Sequence, residues 1–239
     1  MSQRGQEQAE IHQHSGWLIP LGVGVVVLAL CGLFLLYDLR PGAALFRNVS
    51  PTANANAVKL VVRGVSFTIP GNYLDSRSSR RGGDVDMVTL SALLPDMRGY
   101  SAGDAGVFLT NGADSPVVHL ILRGDTDTLS GADRLSRIYL PYVSDPKGAA
   151  AEFGLTRYAF REGTGYERND LYAGDNGRGL LLLLCERPAQ DLPSPNCLAI
   201  DRPVAKGVSL SYRFKRAQLS GWQDIAKGVD KLVAGFLKP

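Results

Sequence analysis

Leu180–Asp201 reads LLLLLCERPAQDLPSPNCLAID. Five leucines in succession put apolar side chains on both sides of a strand, the pattern of a strand buried on both faces. Pro188, Pro193 and Pro195 follow. Proline fixes φ and removes a backbone donor, so this connection is neither helix interior nor central strand. The stretch therefore predicts two antiparallel strands joined by a proline-rich loop. Cys185 ends the first strand and Cys197 begins the second, so the two thiols face each other at the loop's mouth. A disulfide there closes about a dozen residues and adds roughly 2–3 kcal/mol. The alternative is two unrelated buried thiols. A disulfide persists in oxidising compartments, so the pair also speaks for a domain outside the cytosol. A metal site is not expected: two cysteines need two more ligands, and His119 is the only histidine beyond the N-terminal tail.

Around this pair the domain reads mostly as strand. Val58–Arg63 and Val65–Ile69 alternate, and Pro70-Gly71-Asn72 turns the chain. Val85–Leu94, Val117–Leu122, Leu155–Phe160 and Tyr166–Tyr172 have strand composition. In Val208–Phe214, Val208, Leu210, Tyr212 and Phe214 share one face. Leu135, Ile138, Tyr139 and Tyr142 fall at helical spacing within Asp133–Val143. The chain closes on an amphipathic helix, with Ser220 and Gln223 in a capping-box pattern. Trp222, Ile225, Ala226, Val229, Leu232, Val233 and Phe236 form its apolar stripe, and Asp224, Lys227, Asp230 and Lys231 its polar face. Such a helix packs against a sheet. The fold class is α+β, with a mainly antiparallel sheet and packed helices. The opening strand with its Phe67-Thr68-Ile69-Pro70-Gly71 turn, and the closing strand plus helix, resemble the Mog1/PsbP-like sandwich. That resemblance covers the two ends of the domain and implies architecture, not function.

Trp17–Tyr37, WLIPLGVGVVVLALCGLFLLY, carries no charge over 21 residues. As a helix it spans about 31 Å, the thickness of a bilayer's hydrocarbon core. Trp17 and Tyr37 stand where aromatic rings favour the headgroup level. The run is longer than the apolar core of a signal peptide and no small-x-small site follows it closely, so it reads as an uncleaved transmembrane helix contacting the lipid bilayer through residues 17–37. Cys31 lies inside it as a small hydrophobe. The expected organisation is a short cytoplasmic tail (1–16), the transmembrane helix (17–37), a linker (38–57) and an extracytoplasmic α+β domain (58–239). Arg4 and the amino terminus on one side, with Glu7 and Glu10 beside them, nearly balance Arg40 and Arg47 on the other, so flanking charge does not set the orientation. The cysteine pair does, placing the domain outside the cytoplasm; compactness and the absence of convincing eukaryotic processing signals give a bacterial setting, so the expected location is the inner membrane with the domain in the periplasm.

Motifs that carry chemistry are missing. There is no Gly-x-Ser-x-Gly elbow, no phosphate-cradling Gly-x-x-x-x-Gly-Lys-Ser/Thr and no calcium loop in Gly103–Gly106 or Gly174–Gly177. No catalytic, cofactor-binding or metal-binding residue is assigned. His119, alone in a strand, reads as a hydrogen-bonded structural histidine. Arg77, Arg80 and Arg81 form the one dense basic run, a candidate contact for an anionic surface or a solvated loop. Net charge is only +3 and scattered, which speaks against nucleic acid. The expected function is that of a single-pass, membrane-anchored envelope protein, non-enzymatic, whose domain binds an envelope protein partner or supports an assembly. The alternatives are a membrane-tethered ligand- or lipid-binding module and an enzyme with scattered catalytic residues.

Overall fold

Residues 18–38, 50–125 and 129–237 are described by the structure, a computed structural model. The chain divides into two units, Met1–Arg47 and Asn48–Pro239. In the first, Leu18–Asp38 forms helix α1. Its side chains are described from Pro20 to Cys31, and among the described residues no helix is long and apolar enough to cross a membrane. The expected membrane segment, 17–37, extends past those side chains at both ends. The expected tail, 1–16, lies outside the described residues.

The second unit opens with β1 (Ala57–Val62), β2 (Val65–Pro70) and β3 (Gly83–Asp84), a small sheet with β1 central. Arg63 and Gly64 join β1 to β2 with φ of 50° and 80°. Two successive positive φ values match the right-handed twist of a tight hairpin. The preceding segment, expected as linker, is already tied to the domain: Ser50 N donates to Asp75 O, and Gly71 N donates to Asn56 O.

The main sheet contains β4 (Met87–Leu93), β5 (Val117–Gly124), β6 (Ala149–Ala150), β7 (Thr156–Ala159), β8 (Asn169–Asp175), β9 (Leu180–Glu186), β10 (Asn196–Ala205) and β11 (Val208–Lys215). Their spatial order is β4-β5-β11-β10-β9-β8-β7-β6, antiparallel throughout. Between strands lie α2 (Ala105–Leu109) and α3 (Gly131–Arg134), and α4 (Trp222–Phe236) follows the last strand. The α+β class and the mainly antiparallel sheet follow the expectation. The helix expected over Asp133–Val143 is broken into α3, a wide turn Leu135–Tyr139 and a tight turn Leu140–Tyr142 that contains Pro141. Ser130 caps α3, its hydroxyl accepting from Asp133 N at 3.1 Å.

Two apolar cores meet on β9. Leu181, Leu183 and Cys185 face the larger core, with Leu210, Tyr212, Phe214, the small sheet and α4. Leu182 faces the smaller core, with Tyr139, Val143, Phe160 and Leu171. The leucine run is therefore buried on both sides because a layer covers each face of the sheet there. Gly131 allows the second cover to sit close: a Cβ on it would overlap the Leu180 carbonyl oxygen. Gly174 lies within β8 and is buried rather than in a surface turn, and a Cβ there would come within 2.7 Å of the Trp222 ring.

Cys185 and Cys197 are directly paired across β9 and β10 and form a disulfide, with Cα atoms 4.0 Å apart. Burial of Leu181, Leu182 and Leu183 contributes roughly 1.5–3 kcal/mol each, more in sum than the bond's roughly 2–3 kcal/mol. The disulfide thus braces a strand pair that the leucines form. Beside it, on the same rung, Asp170 is buried and accepts from Arg187 Nε at 3.0 Å and Arg216 Nη2 at 3.1 Å.

The start of α4 differs from its expectation. Residues Arg216–Gly221 form a tighter turn, Gly221 occupies the cap position and no side chain caps the helix, so Ser220 does not serve there. Asp230, expected on the polar face, is buried. The cause is a bulge in β10 between Ala199 and Arg202. One extra residue reverses the side-chain alternation and puts Arg202, rather than Asp201, opposite Leu210 on the α4 side. Arg202 there pairs with Asp230, and Arg178 lies 3.5 Å from the same carboxylate.

Removing one member of a buried ion pair strands the other charge. Asp230→Ala is expected to cost about 3 kcal/mol, while Asp230→Leu combined with Arg202→Met restores most of it; urea titration of the full chain in mild detergent measures both. Cys185→Ser with Cys197→Ser should lower stability by roughly 2–3 kcal/mol in the same assay. A double variant as stable as the parent would show that the bond braces nothing.

Candidate functional site

Cover on the second face of the main sheet stops partway. The segment Gly131–Tyr142 packs over β8 and β9, where the smaller core lies. Beyond it the face is open. One rung crosses the sheet there through Ser91, His119, Arg213, Leu198 and Leu184 on β4, β5, β11, β10 and β9. Alternation places Ile121 and Ser211 on one side of this rung, and Lys215 with Asn196 on the other. His119, Ile121, Leu184, Leu198 and Arg213 line a shallow recess of about 350 Å³. Leu198 is 37% exposed, the open apolar side chain of a rung whose other end, at Leu171, is buried.

The same period of two that fills the larger core gives β11 this polar side. Val208, Leu210, Tyr212 and Phe214 point inward, so Ser209, Ser211, Arg213 and Lys215 point to the other face, where Arg213 is exposed and the other three are buried. His119 Nδ1 lies 2.9 Å from Ser91 Oγ. Burial, then the charges of Arg213 and Lys215, lower the His119 pKa to about 4. The ring is therefore neutral at pH 7. Asp75 stands behind Ser91: burial raises its pKa, and a hydrogen bond from Ser91 partly offsets that.

Serine, histidine and aspartate are together, yet their order is not that of a hydrolase. In such a triad the imidazole lies between hydroxyl and carboxylate. Here the buried Ser91 hydroxyl lies between the other two and is held from both sides. A base with pKa near 4 is also far from the neutral range that general-base catalysis favours. The arrangement positions His119 as a structural member of the rung.

The structure places Cys185 and Cys197 together in the disulfide. It does not bring the three arginines to equivalent positions. Arg80 donates through Nη1 to Leu74 O at 2.7 Å, and burial and the neighbouring Arg77 lower its pKa. Arg77 and Arg81 are exposed. Sequence reading missed the open face altogether. The signal was the alternate set of β11, Ser209, Ser211, Arg213 and Lys215, whose polarity was legible but whose cover was not.

The sequence matches no family model and no curated protein. Two solved structures are similar in form. An immunity protein of the Stenotrophomonas maltophilia type IV secretion system has a TM-score of 0.53 at 20% identity, over 76% of this chain and 93% of that one. The iron-regulated outer membrane lipoprotein FrpD of Neisseria meningitidis has a TM-score of 0.47 at 15% identity, over 80% of this chain and 97% of that one. The first likeness is one of fold, and a fold alone does not transfer a site.

The depressed His119 pKa has a definite sign. Between 6.5, the ordinary histidine value, and about 4 the unfolded chain takes up a proton that the folded chain refuses. The stability His119 contributes is whole above pH 6.5 and is lost as pH falls toward 4. His119→Gln should flatten the drop in melting temperature across that window relative to the parent. Parallel pH profiles would contradict the assignment.

Proposed function

We propose that this chain is a single-pass, membrane-anchored envelope protein of a bacterium, held in the inner membrane by residues 17–37, whose α+β domain faces the periplasm and binds a protein partner. The observation that carries the binding role is the half-covered sheet. A face that exposes Leu198 beside Ile121 and Leu184, rimmed by Arg213 and Asn196, has the make-up of an interface: apolar centre, polar rim. It offers shape and charge to a partner rather than a reaction. The immunity protein of similar fold adds an analogy on architecture only.

The anchor reading is supported by the uncharged run from Trp17 to Tyr37. Within α1 the side chains from Leu21 to Leu30 are apolar on every side and exposed; Leu28, for one, is 74% exposed. A helix apolar all round needs a membrane or a protein interior about it. The periplasmic placement is supported by the disulfide, a bond of oxidising compartments. Of the basic run, Arg77 and Arg81 are the members available to an anionic surface.

Two experiments test this reading. The protein should stay with membranes after alkaline and high-salt washing, and a C-terminal reporter that works only after export should be active; release by salt, or activity confined to the cytoplasm, contradicts the anchor or its direction. A photo-crosslinking residue at Leu198 or Ile121 in living cells should capture a discrete protein adduct, while the same residue at exposed Lys227 on α4 should not. Equal capture at all three positions would remove the open face from the proposal.

A further inference from the structure

Lys215 is a buried cation without a carboxylate on it. Only 5% of the residue is exposed, and its Nζ donates to two neutral acceptors, Asn111 Oδ1 at 2.6 Å and Ser194 O at 3.4 Å. Two positions back on β11, Arg213 is exposed and makes no ion pair among the described residues. His119 lies opposite Arg213. Two acids stand nearby, and the charge of Glu186, which borders the apolar recess, acts on Lys215. Glu186 Oε2 accepts from Asn196 N at 2.7 Å and Asn196 Nδ2 at 3.0 Å, and Asp75 sits behind Ser91. A small cavity of about 30 Å³ is bounded by Lys215, Arg213, His119, Asn111 and Asn196. It shares His119, Arg213 and Asn196 with the apolar recess of the open face.

An ammonium group out of water is costly unless a counter-charge or full hydrogen bonding meets it. Arg213 and Lys215 outnumber Glu186 here, so the corner keeps a net positive potential at the edge of an apolar floor. The two features together select a ligand that is apolar along its length and anionic at one point. We propose that the corner receives a carboxylate, an Asp or Glu side chain of the protein partner, carried in an extended apolar segment. The carboxylate lies between Arg213 and Lys215, and its apolar neighbours lie on Ile121, Leu184 and Leu198. The proposal rests on the reading of this face as the binding surface and names the chemistry of its partner.

The test uses the full chain in zwitterionic nanodiscs with isotope-labelled histidine rings. The probes are the peptide acetyl-Val-Leu-Glu-Leu-Val-amide and its counterpart with Gln in place of Glu. Burial and then the charges of Arg213 and Lys215 depress His119; both peptides add cover and only the Glu peptide offsets the charges, so the His119 pKa should stand higher with the Glu peptide than with the Gln peptide. The Gln peptide should bind at least about tenfold more weakly. Arg213→Gln, at an exposed position that leaves the core intact, should abolish the difference. Equal effects of the two peptides, or no saturable effect of either, overturns the proposal. A His119 response to phosphatidylglycerol nanodiscs but not to the Glu peptide also overturns it, assigning the corner to lipid. Photo-crosslinking at Leu198 in cells separates the two readings. A partner adduct that persists undiminished with Arg213→Gln leaves the binding face standing and removes the carboxylate.

Discussion

β9 lies between two apolar layers, and both cores of the domain are assembled on it. Leu181 and Leu183 face α4 and the small sheet, and Leu182 faces the segment after β5. A strand that is apolar on both sides must be covered on both sides, and that demand calls in the rest of the domain. It requires α4 on one face and the broken helix Gly131–Tyr142 on the other. It also fixes register: Cys185 can meet Cys197 only when β10 pairs with β9 without slippage. The disulfide and the buried Asp170 beside it then hold that end of the pair, where a proline-rich loop supplies few backbone bonds of its own.

The second layer is shorter than the sheet it covers. It reaches across β8 and β9 and stops, and beyond it Leu198 and Arg213 are exposed and His119 and Ile121 half-buried, while Ser91, Ser209, Ser211 and Lys215 are covered. The polar half of β11 follows from this. A strand whose second face meets polar groups and only partial cover alternates, whereas a strand packed between two apolar layers does not. The leucines of β9 and the serine-arginine-lysine set of β11 are two responses to a single geometric fact. The open face is therefore a product of incomplete cover rather than of a dedicated loop, and its apolar residues stand on rigid strands. Binding sites on strands are better held than sites on loops.

Much of the fold was legible in the sequence because periodicity reports burial directly. The strands around Val58, Val117, Leu180 and Val208 and the closing helix all carry their period openly, and the cysteine pair declared its register. What escaped were features set by one-residue geometry. The bulge after Ala199 brings Arg202 to the inner face, and nothing in the local composition marks it; without it, Asp230 reads as a surface charge. The π and tight turns after α3 likewise depend on how the segment fits over β9. The open face escaped for a different reason: exposure depends on what covers a strand, and the cover comes from a segment far away in sequence. For the arginine run, composition suggested three equivalent charges, whereas Arg80 is spent on the Leu74 carbonyl.

A domain proposed to work outside the cytosol must keep its disulfide in the cell. The state of the three cysteines in protein taken from cell membranes tests it most directly. Membranes are solubilised without reductant in the presence of an alkylating agent, and the intact mass is measured before and after reduction. One alkylated cysteine, Cys31, is expected, with Cys185 and Cys197 becoming reactive only after reduction. Three cysteines alkylated without reduction would contradict it.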